Sequence, residues 1–365
     1  MLSVARFRWA ACQLDALVDC LDYGELKRAL TSFPETLYQT YDRILLGIPS
    51  KYKEKMTRIL QFLVFSERPL RIKEAVDALV VDPTGVPYFD PKFRMPDPQE
   101  ISRYCSSLVV NQGLELQLAH STVKEYLMSN QLDKEFAESF QEVAARVSIA
   151  TVCVAYLLHL DQEIPIQEVK DAFPLAQYSA RYWMVNASVA EGEDEMVQDL
   201  IVDFFYSHER SYKICYSLYR PDKPWHDESD LRREDPASPL YYASFGGFRN
   251  AVQCLLSRGA DVNAQGGKYG NALQAASYGG HEKVVELLLG EGADVNAQGG
   301  GEYGNALQAA SVKGHEKVVE LLLGAGADVN AREGYFGTAL QAASSGGHEK
   351  VVELLLGAGA DVNAR

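Results

Sequence analysis

The chain has 365 residues, 47% of them hydrophobic and 23% charged, with a net charge of -15 at neutral pH. That length allows two or three domains with cores of their own, and the composition argues against wholesale disorder. The acidic balance disfavours a nucleic-acid backbone or an anionic membrane as the main partner, because long-range repulsion opposes both.

The six cysteines, Cys12, Cys20, Cys105, Cys153, Cys215 and Cys254, include no C-x-x-C pair. Neither a zinc site nor a disulfide framework is therefore expected, and each should pack as a small buried hydrophobe in a reducing compartment. Arg6 and Arg8 follow Met1 closely, so no apolar signal core is present there. The longest apolar stretch, residues 147–160, falls short of the roughly 18 residues of a membrane span and reads as a buried helix. The expected location is the cytoplasm.

In chain order, apolar spacing predicts helices over 4–21, 24–31 and 35–47, punctuated by Pro34 and Pro49. Ser50 is placed to cap a longer helix over 52–65, with Met56, Ile59, Leu60 and Leu63 on one face. A helix over 71–80 follows, then one over 97–107 opened by Pro98. Residues 108–118 alternate around an Asn111-Gln112-Gly113 turn, which is a hairpin signature, and Ser121 should cap a helix over 122–129. Helices followed by a hairpin are the order of a winged-helix unit. It is assigned to 51–130, behind a helical segment at 1–50. Residues 131–236 read as a helical connector with apolar helices over 136–160 and 196–205 and a core cluster at Tyr178, Tyr182 and Trp183. Residues 222–230, polar and proline-containing, make the best linker candidate.

Residues 7–16 (F-R-W-A-A-C-Q-L-D-A), 33–41 (F-P-E-T-L-Y-Q-T-Y) and 118–127 (L-A-H-S-T-V-K-E-Y-L) carry a resemblance. They resemble the region that follows the NACHT NTPase domain in fungal signalling NTPases with ankyrin tails. The second part of that region resembles the GPI inositol-deacylase winged helix, and residues 173–183 resemble the connector leading to the repeats. The resemblance implies the C-terminal portion of such an architecture, whose NTPase domain would precede Met1.

The strongest signal is internal repetition. The string D-V-N-A begins at Asp261, Asp294, Asp328 and Asp361, at spacings of 33, 34 and 33. Ahead of it, G-N-A-L-Q-A-A-S starts at Gly270 and Gly304, G-T-A-L-Q-A-A-S at Gly337, and a degenerate copy at Ser238. Each copy predicts two short helices. Ser238, Asn271, Asn305 and Thr338 can cap the first helix, whose alanines (Ala272, Ala275, Ala276) let neighbours approach closely. Gly279-Gly280 allows a reversal, and a second helix over 282–289 presents Val284, Val285, Leu287 and Leu288. Gly259, Gly292, Gly326 and Gly359 should leave that helix in the left-handed conformation. One pair cannot bury its leucines alone, whereas a stack can; burying Leu288 contributes about 1.5–3 kcal/mol.

Residues 238–365 resemble the ankyrin repeat, with N-A-L-Q or T-A-L-Q where the family has T-P-L-H; glutamine keeps a donor and an acceptor. Four copies are expected in an array that is cut short, leaving Val351, Val352, Leu354 and Leu355 uncovered. His281, His315 and His348 recur in phase, but stacked helices lie about 8–10 Å apart, too far for a shared ion. They are expected to bond to backbone at turns. The predicted fold is mainly α, a helical region with a winged-helix unit followed by an α-solenoid of ankyrin repeats.

No G-x-x-x-x-G-K-[ST] phosphate cradle and no G-x-S-x-G elbow occurs. Residues 79–82 (L-V-V-D) read as a helix exit before Pro83, and His120-Ser121 lacks an acid partner. No cofactor, metal or catalysis is expected, and the leading function is a protein interaction protein. One alternative is a regulatory fragment of a signalling NTPase, whose nucleotide domain would be a partner in cis or trans. The weaker alternative is a DNA-binding winged helix, whose recognition helix offers Arg103 alone against Asp97 and Glu100. Among the three close copies, differences concentrate at the end of the first helix and in the connecting hairpin. The candidate partner-binding residues are therefore Tyr278, Val312, Lys313 and Ser345 with Lys268, Tyr269, Glu302, Tyr303, Tyr335 and Phe336.

Overall fold

The computed structural model describes residues 9, 14, 17, 21–31, 34–189, 194–225, 235–299, 303–332 and 334–364, apart from the side chains of 28–31 and 106. Most of the predicted helix over 4–21, with Cys12 and Cys20, lies outside the described residues, as do Glu302 and residues 226–230 of the predicted linker. The chain divides into two units, Met1–Tyr156 with Lys170–Tyr178, and Leu157–Val169 with Ser179–Arg365. Both are mostly helical.

In the first unit, the helices Tyr23–Thr31 and Leu37–Leu46 match the predicted spans closely. Thr36 and Gln39 cap the second reciprocally: Gln39 N donates to Thr36 Oγ1 at 3.2 Å, and Thr36 N donates to Gln39 Oε1 at 3.2 Å. The next helix, Ser50–Phe65, buries Met56, Ile59, Leu60 and Phe62. Ser50 is its first residue rather than its cap. Pro49 takes the cap position, and its carbonyl accepts the Tyr52 amide at 2.8 Å. Strand β1 (Leu70–Arg71) then leads into the helix Ile72–Val80. Buried Glu74 anchors this junction, accepting the Arg68 guanidinium at 2.7 and 2.8 Å and the Arg71 amide at 2.8 Å.

The predicted hairpin is present as β2 (Val109–Gln112) and β3 (Glu115–Leu118), and β1 adds antiparallel to β3 to give the order β1-β3-β2. Its turn is displaced from the predicted Asn111-Gln112-Gly113: Gln112 pairs with Glu115, leaving Gly113-Leu114, and Gly113 supplies the positive φ of 64° that a two-residue turn needs. The helix expected over 97–107 resolves into two 3-10 segments, Pro98–Tyr104 and Ser106–Leu108. The three serines of this stretch, at 102, 106 and 107, have low helix propensity and disfavour a continuous α-helix. The helix Ser121–Leu127 is capped by His120 instead of Ser121, since His120 Nδ1 accepts the Thr122 amide at 3.1 Å.

The single helix expected over 136–160 is two, Lys134–Ala137 and Glu142–His159. The second has 18 residues, long and apolar enough to cross a membrane by those measures alone. Ile149, Ala150, Cys153, Val154, Ala155 and Leu157 are nonetheless fully buried in protein, so packing, and not length, makes it a core helix. Beneath it, Asp77 accepts Arg94 at 2.6 and 2.9 Å and the Tyr156 hydroxyl at 2.5 Å. Arg94 also donates to the Ala172 carbonyl at 2.8 Å, and Tyr178 donates to Ser66 Oγ at 2.8 Å. These bonds fasten residues 170–178 to the winged-helix fold. Cys105, Cys153 and Cys215 are buried outside any disulfide, as expected, while Cys254 is half-buried; burial pushes the Cys105 and Cys215 thiols up.

In the second unit, Trp183 is the centre of an aromatic cluster, with Phe204 at 5.2 Å, Phe205 at 5.8 Å and Phe248 stacked at 5.3 Å. Phe248 opens the second helix of the first repeat, so this cluster seals that end of the stack, while the neighbouring Tyr182 is only half-buried. Asp222, expected in a linker, is 1% exposed. Its carboxylate accepts the Tyr241 hydroxyl at 3.0 Å, the Tyr242 hydroxyl at 3.0 Å and the Lys268 amide at 3.0 Å. It is a joint, not a spacer. Burial and this carboxylate push both phenols up.

Four helix pairs follow: Pro239–Phe245 with Arg249–Ser257, Ala272–Gly279 with Glu282–Gly290, Ala306–Lys313 with Glu316–Gly324, and Ala339–Gly346 with Glu349–Gly357. All four expected caps form, with Ser238 and Thr338 accepting at 3.2 Å and Asn271 and Asn305 at 2.9 Å. The four glycines after the second helices have φ of 86 to 92°. Gly280 ends a first helix at φ 74°, and a Cβ there would lie 2.6 Å from the His315 ring, so only glycine fits.

Three ladders join the copies. Asn263 Nδ2 donates to the Gly292 carbonyl at 3.3 Å while Asn263 Oδ1 accepts the Asp294 amide at 2.9 Å, and Asn296 and Asn330 repeat the pattern. Gln274 Nε2 donates to the Gly304 carbonyl at 2.9 Å and Gln308 Nε2 to that of Gly337 at 2.9 Å. His281, His315 and His348 place Nε2 2.9, 3.0 and 3.1 Å from the carbonyls of Phe245, Tyr278 and Val312. The histidines bond to backbone as expected, but to that of the preceding repeat. In the fourth copy, Val351 and Leu355 are fully buried against the stack, contrary to the expectation. Val352, also expected uncovered, is half-buried where its equivalent Val285 is buried, and Gln341 and Ser344 are exposed where Gln274 and Ser277 are buried.

Replacing Asp222 with alanine strips two buried phenols and one amide of their acceptor. The expected loss of stability in the second unit is about 3 kcal/mol, with a smaller loss for Asp222→Asn, which keeps a carbonyl oxygen. Urea unfolding followed by circular dichroism of both variants checks the magnitude and the order.

Candidate protein-binding face of the repeat stack

The first helices and the hairpins between copies assemble a row of aromatic rings. Phe245 stacks on Tyr269 at 5.6 Å, Tyr269 on Tyr278 at 4.2 Å and on Tyr303 at 5.7 Å, and Tyr303 on Phe336 at 6.0 Å with planes 8° apart. The row therefore crosses all four repeats. The repeat period causes it: each hairpin lifts one ring to the same height, and each first helix ends beside it.

The structure brings most of the predicted residues together but gives them unequal roles. Tyr269 is 4% exposed, enclosed by rings on both sides, so it is part of the scaffold and not a free contact. Tyr278, Tyr303 and Phe336 are half-buried, with one side walled by neighbours. Tyr335 is 84% exposed and meets Phe336 edge-on at 5.3 Å. Half-buried Lys268 lies 4.1 Å from the ring of Trp225, itself largely exposed. Exposed Lys313 sits 4.5 Å over the Tyr278 ring. Val312 is half-buried, and Ser345 is exposed at the aligned position of the last copy. Glu302 lies outside the described residues.

Two participants escaped the sequence reading. Phe245 occupies the position of Tyr278 in the degenerate first copy, so aligning that copy would have found it. Trp225 belongs to no repeat and carries no periodic signal. Alignment also held the clue to Tyr269. Position by position, Lys268, Glu302 and Tyr335 change freely, whereas Tyr269, Tyr303 and Phe336 are aromatic in every copy.

Lys313, Tyr269 and Tyr303 surround the Tyr278 ring. Burial opposes its ionisation, but hydrogen bonding with these neighbours and the charge of the Lys313 ammonium bring its phenol below the usual value. Tyr269 moves the other way, raised by burial and by its bond to Tyr278. Burial also lowers His315. Among the described residues, no group of three His, Cys, Asp or Glu side chains could hold a metal.

Comparison with known proteins agrees with this architecture. Residues 41–139 match the family model of the GPI inositol-deacylase winged helix domain. Residues 183–299 and 306–356 match two ankyrin-repeat family models, one of three copies and one of many. The chain thus carries a GPI-inositol-deacylase-type winged helix domain followed by ankyrin repeats. The ankyrin match starts at residue 183, the tryptophan that stacks on Phe248. The chain is also 38% identical over 280 residues to the azaphilone pigments biosynthesis cluster protein L of Monascus ruber, covering 69% of this chain and 58% of that protein. It therefore spans little more than half the length of that relative.

On alkaline titration, the first tyrosinate absorbance of this aromatic row should come from Tyr278. Tyr278→Phe is expected to remove that early component, and Lys313→Met to move it to higher pH. Difference absorbance spectra of the two variants check both outcomes.

Proposed function

We propose that this chain is a non-enzymatic interaction protein of cytosolic signalling or recognition, binding a protein partner along the aromatic row of its repeats. Ankyrin repeats are typically non-catalytic and support a role in protein interaction. One observation carries the location: Tyr278, Tyr303, Tyr335 and Phe336 keep exposed surface on the variable side of the stack although their backs are packed. Rigid aromatic groups among changeable charges are what interface centres tend to present. The opposite face carries the uniform E-K-V-V-E-L-L-L-G helices, whose only variation between the three copies is none at all.

The order of winged helix and repeats supports a second, narrower reading, that of the C-terminal portion of a NACHT-type signalling NTPase. The nucleotide-binding domain, in cis or in trans, is then itself a partner of the chain. Nucleic acid and membrane are not proposed as partners. The segment that would read DNA forms two short 3-10 turns, with Arg103 already paired to Glu100 at 3.0 Å.

Replacing Tyr278, Tyr303 and Tyr335 with alanine together should leave the far-ultraviolet spectrum nearly unchanged and weaken partner capture at least tenfold, about 1.4 kcal/mol. Serine at Glu286, Glu320 and Glu353 on the opposite face should do little. Capture lost in the glutamate set and kept in the tyrosine set would place the binding face elsewhere. Tyr269→Ala serves as the structural control, because it is expected to lower the melting temperature.

A further inference from the structure

The boundaries inside the repeat stack are built from recurring side chains, and the outer end of the fourth copy presents the same groups. Asn263, Asn296 and Asn330 each bond to a glycine carbonyl and an aspartate amide of the next turn. Asn363 is the fourth of the series. Its backbone amide donates to Asp361 at 2.9 Å, but its exposed side chain makes neither of those bonds among the described residues. Gln341 donates to the Ala364 carbonyl of its own turn at 3.2 Å, as Gln274 does to Ala297 at 3.2 Å. Among the described residues it lacks the second bond, which Gln274 and Gln308 make to the next hairpin.

The histidines mark the end most sharply. The ring of His281 packs on Gly247, that of His315 on Gly280 and that of His348 on Gly314. A Cβ at those glycines would lie 2.5, 2.6 and 2.4 Å from the ring. Gly347 continues the series with the same left-handed backbone, φ 71°, and a Cβ built there meets nothing within 4 Å among the described residues. Each ring bonds to the carbonyl two residues before its glycine, Phe245, Tyr278 and Val312 in turn, and Ser345 is that residue in the fourth copy. Apolar surface goes with these groups: Leu356 and Val362 are 42% and 72% exposed, where Leu289 and Val295 are half-buried.

We infer that the outer end of the fourth copy is a docking surface for an ankyrin-type helix pair of a partner protein, stacked end-on as a fifth copy, with a histidine seated on Gly347 and bonded to the Ser345 carbonyl. The internal boundaries are examples of this interface, so they specify what the occupant brings. It brings an imidazole N–H ahead of its second helix, a glycine carbonyl in its hairpin for Gln341, and a turn with a carbonyl and an amide for Asn363. A second copy of this chain does not meet that description. At the leading end of its stack the place of the histidine is taken by Phe248, which is 3% exposed and stacked on Trp183. This surface is independent of the reading of the aromatic row.

The test titrates the full 365-residue chain into a fluorescent probe array of ankyrin copies, each with the sequence of residues 304–336. A polar capping copy closes the far end of the probe, so that only its leading face, with the first histidine, is open. Fluorescence anisotropy should show saturable binding of one chain per probe. Alanine at the leading histidine of the probe should weaken it about tenfold, and Asn363→Ala in the chain should do the same. Gly347→Asn tolerates the left-handed backbone but fills the seat, and is expected to weaken binding by about tenfold or more. Glu286→Ser, on a second helix away from this end, should leave binding unchanged. Circular dichroism of chain variants and probes checks that each is folded, and the probe variant leaves the chain itself untouched. Three results overturn the inference: no saturable binding, binding indifferent to both the probe histidine and Gly347→Asn, or self-association of the chain that Asn363→Ala abolishes. The last would make a second copy the occupant.

Discussion

A single buried carboxylate holds the second unit together. Asp222 is enclosed by protein, and its two oxygens receive two phenols from the first repeat and a backbone amide from the hairpin that begins the second. A carboxylate so placed would be costly without partners, and three donors offset that cost. The consequence is geometric. Tyr241 and Tyr242 belong to one short helix, so satisfying Asp222 sets the rotation of that helix. Lys268 and Tyr269 are adjacent in the hairpin, so the same carboxylate sets the height at which the aromatic row begins. Tyr216 stacking on Tyr242 at 3.9 Å then ties the row to the connector.

From that origin the repeats propagate by bonds that skip one copy to the next. Asn263, Asn296 and Asn330, Gln274 and Gln308, and His281, His315 and His348 each bond to the neighbouring copy. None of these bonds is available to an isolated repeat. Cohesion therefore lives at the boundaries between copies, as expected for a quasi-one-dimensional fold. The variable positions are released from that work, which is why they can carry recognition.

The repeats were legible because their landmarks recur in phase and each landmark has one physical job: a side-chain oxygen at the cap, glycine at the left-handed exit, alanine at the close approach. The winged helix was legible more coarsely, through element order and a hairpin alternation. Its caps were not, since Pro49 and His120 fill the places assigned to Ser50 and Ser121, and a backbone carbonyl or ring nitrogen can do what a hydroxyl does. The linker reading of Asp222 failed for a different reason. Polarity and proline measure local preference, while burial of that carboxylate depends on tyrosines 19 and 20 residues away. Tyr269 was misread because a difference between copies was taken as exposure, when the difference at that position never left the aromatic class.

The glutamine that stands where the ankyrin family has histidine has a consequence for how the stack responds to acid. A histidine at that place would gain a proton within the physiological range and change its donor pattern. Gln274, Gln308 and Gln341 have no proton to gain, and they donate to the next copy or turn at 2.9 to 3.2 Å in the same way on either side of neutrality. The joints also hold the rings of His281, His315 and His348. Of these, His315 is held toward its neutral form by burial, so protonating it works against the folded stack as pH falls. With glutamine at that place, the bonds that Gln274, Gln308 and Gln341 make between copies and turns are electrically silent.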